Sequence, residues 1–63
     1  MTEFQLVEYQ NYIFAHIRKL KFHVENLDTA DNTITCTLIN AVLDDIKHVV
    51  SCIELKDKHT NNK

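Results

Sequence analysis

A chain of 63 residues with no glycine and no proline has room for one small domain. It also lacks the turn residues that an all-β fold of this size needs. Charged residues make up 25% and hydrophobic residues 44%, a balance that fits neither a disordered chain nor a membrane span, and the net charge of −2 disfavours broad attraction to nucleic acid or anionic lipid.

Residues 2–26 read as the first helix. Leu6, Ile13, Leu20 and Leu27 recur every seven residues, and Gln10, Ile17 and Val24 fill the intervening positions. In heptad terms these are d and a, which lay a seam along one helix face. The Thr2 hydroxyl suits an N-cap and Glu3 suits the positive end of the helix dipole. No apolar stretch follows Met1, so the expected location is the cytoplasm, with no leader segment.

Asn26 to Asn32 (NLDTADN) concentrates Asn and Asp, whose side chains bond nearby backbone and favour turns. The expected turn covers residues 27–31, with Asn26 and Asp28 closing the first helix without glycine. The second helix is expected over residues 32–58, capped by Asp31 or Asn32, with a frayed tail at 59–63. Ile39, Ile46 and Ile53 take its a positions, and Thr35, Val42 and Val49 take d. Cys36, Leu43 and Val50 widen the stripe at e, and Leu38 and Cys52 at g. Thr33 to Leu38 alternates polar and apolar residues as a strand does. The stripe nevertheless continues for four more turns at helical spacing, which decides for helix.

The fold class is therefore all-α: an antiparallel two-helix hairpin over residues 1–63. One hairpin leaves one side of each seam wet, so a homodimeric four-helix bundle is expected. Its core would be Leu6, Ile13, Ile17, Leu20, Val24, Leu27, Ile39, Val42, Leu43, Ile46, Val49, Val50 and Ile53. Cys36 and Cys52 would stand about 24 Å apart along one helix, beyond the reach of about 7 Å that a disulfide allows.

Catalytic chemistry is poorly supplied. No glycine-rich phosphate loop, HExxH or CxxC is present. Ser51 and His48 fall on the polar outer face of the second helix, without a cleft. His16 and His23 share a helix face but stand about 10 Å apart along it, too far for one metal. Adjacent Asp44 and Asp45 point about 100° apart and cannot act as a facing pair. No catalytic, cofactor or metal residue is assigned, and neither a small-molecule substrate nor a membrane is expected.

Two features point to binding instead. His16, Arg18, Lys19, Lys21 and His23 form a basic run around Phe22. Phe4, Tyr12 and Phe22, with Ala15, fall towards the back of the seam, and Phe14 lies beside it. The candidate contact residues are Gln10, Phe14, Arg18, Lys19, Lys21 and Phe22. An unidentified protein partner is the leading expectation, and RNA is the alternative target.

The chain length, the heptad seams, the glycine-free turn Leu27-Asp28-Thr29-Ala30-Asp31 and the late Ser51-Cys52 resemble the Rop (Rom) family of plasmid copy-number control. That resemblance implies an antiparallel four-helix dimer whose first helix binds paired RNA loops around a phenylalanine. Gln10, Phe14 and Arg18 match that face in type, whereas Glu3 and Glu25 place acids where the family face is basic. The whole-chain pattern is also similar to the small helical-hairpin proteins of Sulfolobus spindle-shaped viruses. This second resemblance implies a viral adaptor between other macromolecules in the archaeal host cytoplasm, where an intermolecular cysteine bond is admissible.

Overall fold

The computed structural model describes the backbone of residues 1–61 and the side chains of residues 1–57. These form two helices, α1 (Glu3–Glu25) and α2 (Thr33–Asn61). Thr2 stands in extended backbone ahead of α1 and makes a reciprocal cap with Gln5. The Gln5 amide donates to Thr2 Oγ1 at 3.1 Å, and the Thr2 amide donates to Gln5 Oε1 at 3.0 Å. Two of the four orphan amides at the helix start are satisfied in this way.

α1 ends without a left-handed residue. Its last turn tightens, with the Asn26 amide donating to the His23 carbonyl at 3.1 Å and the Leu27 amide to the Val24 carbonyl at 3.2 Å. Asn26 Nδ2 also donates to the Phe22 carbonyl at 3.0 Å.

Side chains then build the turn that glycine would otherwise allow. Asp28 Oδ1 accepts from the Ala30 amide at 2.8 Å and the Asp31 amide at 3.3 Å. Asn32 reaches back to Asp28, its Oδ1 accepting from the amide at 2.9 Å and its Nδ2 donating to the carbonyl at 3.0 Å. Asp31 Oδ1 accepts from the Thr33 amide at 3.0 Å and the Thr33 hydroxyl at 2.7 Å. The Asn32 carbonyl takes the first bond of α2, from the Cys36 amide at 2.8 Å.

The Thr33–Leu38 stretch is helical throughout. There Thr37 donates its hydroxyl to the Thr33 carbonyl at 3.0 Å, which absorbs one of the alternating polar groups. α2 runs on to Asn61, into the segment expected to fray, because no proline or glycine stops it. Residues 62 and 63 of that expected tail lie outside the described residues.

The helices pack antiparallel, so that Met1, Thr2, Glu3 and Leu6 share a concavity with Ile53 and Asp57. From α1, Tyr9, Ile13, His16, Leu20 and His23 lose part of their solvent access, spaced four, three, four and three residues apart. From α2 the covered set is Thr35, Ile39, Val42, Ile46, Val49, Cys52, Ile53 and Lys56, all a and d residues except Cys52 at g. α1 is therefore rotated relative to the a/d expectation, packing on d and g. Its a positions begin with Glu3 and Gln10, whereas g offers the large rings of Tyr9, His16 and His23.

The result is a layer one helix thick. Cα extents are 54 × 18 × 10 Å, and the radius of gyration is 15.2 Å. A globular chain of this length has a radius near 10.6 Å. Among the described residues Val42, at 5% exposure, is the whole of the fully buried core. The accessible surface is 5227 Å². A folded monomer of this mass exposes about 4,200 Å².

Thr2→Ala should lower stability by about 1 kcal/mol in urea denaturation. The Thr33 hydroxyl and then the Thr33 amide hold the Asp31 carboxyl below its ordinary value of 3.8. The stabilisation from this group is complete above that ordinary value and is lost as pH falls through the lowered one. A carboxyl NMR titration should place Asp31 below 3.8, and Thr33→Val should move it back up.

Candidate interaction site

Two distinct surfaces emerge from the helix geometry. Residues advance about 100° per step, and the sense of rotation reverses between antiparallel helices. Positions a and e of α1 and position e of α2 therefore come out on the same side of the layer. That side gathers Ile17 and Val24 of α1 with Leu43 and Val50 of α2, and the d residue Leu6, left uncovered at the end of the seam, adjoins it; each is between 40% and 48% exposed. Phe14, 56% exposed, lies at its margin with Gln10 and Lys21. It is an apolar face running the length of the hairpin.

The second surface lies on the back of α1. Ala15, Arg18, Lys19, Phe22 and His23 line a shallow concavity. The first four stand at i, i+3, i+4 and i+7, the corners of the diamond that accepts a side chain from a facing helix. Ala15 forms the floor with a single methyl group. Phe22 is exposed, and its ring meets the His23 ring edge-on, with centroids 5.6 Å apart and planes at 66°. Such a contact steadies the ring at the rim.

The six candidate contact residues thus divide between two sides. Arg18, Lys19 and Phe22 come together at the notch, whereas Gln10, Phe14 and Lys21 flank the apolar face. All six are exposed. Ala15 and His23 complete the notch but are not among those six. The signal for Ala15 was a small residue followed at three, four and seven positions by long side chains.

Of the thirteen expected core residues, Ile13, Leu20, Ile39, Val42, Ile46, Val49 and Ile53 are covered within one hairpin. Leu6, Ile17, Val24, Leu27, Leu43 and Val50 are exposed in it. Cys36 is exposed and Cys52 half-buried, both as free thiols. Among the described residues no group of three or more His, Cys, Asp or Glu is placed to hold a metal ion. No described helix is long and apolar enough to cross a membrane. No family model, curated protein or solved structure matches the chain.

His16 stands apart from both surfaces. It lies in the seam against α2, and its Nδ1 is buried without a hydrogen-bond partner among the described residues. An orphaned buried polar atom carries a desolvation penalty that an apolar side chain would not. His16→Leu should therefore stabilise the fold by about 1 kcal/mol, raising the thermal midpoint by about 4–8 °C. A lowered midpoint would contradict this.

Proposed function

We propose that the chain is a non-enzymatic adaptor that works as a homodimeric four-helix bundle. The observation that carries this reading is the uncovered apolar face of a layer with almost no interior. Packing that face of one hairpin on the same face of a second buries Leu6, Ile17, Val24, Leu43 and Val50 from both copies. A two-fold arrangement matches each surface to itself, the commonest solution for a small oligomer. The excess of about 1,000 Å² over a folded monomer's expected surface is comparable to the ~800 Å² per partner of a standard interface.

The back of α1 remains open in this dimer. Two equivalent copies of the basic and aromatic notch would face away from the core and allow two partner molecules to be bridged. The likeness to the hairpin proteins of Sulfolobus spindle-shaped viruses supports the same role, and with it a viral protein in a host cytoplasm. The Rop resemblance supports RNA as the alternative target, read by Gln10, Phe14, Arg18, Lys19 and Lys21.

Ile17→Glu combined with Val50→Glu should convert the dimer to a single chain and remove most of its helical circular dichroism. A variant that keeps the dimeric mass would contradict the proposed interface. Tagged wild-type protein expressed in its own cells should retain a protein partner that the dimeric Arg18→Glu, Phe22→Ala variant loses. Equal recovery by both would count against the adaptor reading. Binding of structured RNA whose log affinity falls linearly with log salt would favour the alternative instead.

A further inference from the structure

The geometry points to a defined occupant for the notch on α1: one large apolar side chain from an acidic helix of a partner protein. This rests on the adaptor reading and names the partner's chemistry. Three observations converge on it. The i, i+3, i+4, i+7 spacing of Ala15, Arg18, Lys19 and Phe22 makes a receptacle for a knob from a helix, because side chains at those positions surround a gap of one residue's width. The floor is a methyl group, and the walls are a phenyl ring and two aliphatic stems, so the inside of the hole is apolar. The rim carries the Arg18 and Lys19 charges, and none of the five lining residues is acidic.

An incoming helix then needs an apolar residue at the hole and carboxylates about one turn away on either side. Arg18 would take one of them in a planar two-bond contact, and Lys19 the other. A phosphate-bearing ligand would use the same cations but has no need of the hole. A second copy is the remaining occupant, since Leu55 on α2 is 63% exposed beside the carboxylate of Glu54.

The test uses the full-length protein and a phage-displayed library of single-helix peptides with randomised outer positions. Enriched peptides should carry Leu, Ile, Met or Phe with Asp or Glu three or four residues away. By fluorescence anisotropy they should bind wild type about tenfold more tightly than Ala15→Gln, which fills the hole, or Lys19→Glu, which reverses the rim. Both variants are compared at wild-type helicity and mass, and agreement between them guards against a folding defect in one.

No enrichment over the unselected library would overturn the inference, as would peptides that bind Ala15→Gln as tightly as wild type. So would self-association beyond the dimer that Ala15→Gln abolishes, since the occupant would then be a second copy. Structured RNA that binds in a way sensitive to Lys19→Glu but not to Ala15→Gln would overturn it too. Failure here with cellular partner capture intact leaves the adaptor reading standing, and loss of capture leaves the peptide result unaffected.

Discussion

Two helices lying side by side cannot enclose anything. Each presents a stripe wider than the strip its neighbour covers, so a lone hairpin gives every apolar residue at most one dry side. Among the described residues Val42 alone escapes water, because it sits at the centre of the α2 stripe with Ile39, Ile46 and Val49 around it. The β-branched residues of α2 sharpen the constraint. Thr, Ile and Val are modest helix formers and depend on packing to hold a helix together. The elongated, single-layer shape thus leaves apolar surface uncovered, which is the ground for the proposed second copy.

Much of the hairpin was legible in the chain because its causes are local. Heptad spacing places the helices, and the Asp and Asn cluster marks the turn. Asp28, Asp31 and Asn32 do the work of glycine through hydrogen bonds to nearby backbone. The rotation of α1 was not legible. Leu6, Ile13 and Leu20 belong equally to a d/a seam and to a d/g seam, and periodicity alone cannot choose between them. The choice depends on what α2 meets, and the rings of Tyr9, His16 and His23 fill that space better than Gln10 does. The described α2 reaches Asn61, three residues past the expected end at 58, because nothing in that polar composition forbids a further helical turn.

The same rotation decides which residues are available for binding. By turning its g positions inward, α1 commits its a positions to the apolar face and leaves its back free. Arg18, Lys19 and Phe22 end up around Ala15, while Phe14 is drawn towards the exposed apolar face. The sequence shows a basic run around Phe22. Only the helix wheel, fixed by tertiary packing, shows that part of it surrounds a concavity and part of it borders the exposed apolar face. In the proposed dimer, assembly and partner recognition would occupy opposite sides of one thin layer without competing.

Mass action tests this account most directly, because a fold completed by a second copy gains stability with concentration. The measurement is the thermal unfolding midpoint followed by circular dichroism from about 1 to about 100 µM chain, paired with sedimentation at each concentration. The account predicts a midpoint that climbs steadily across that range and a folded species of twice the 7.4 kDa chain mass. A midpoint that stays constant, with a cooperatively unfolding species of 7.4 kDa, would contradict it.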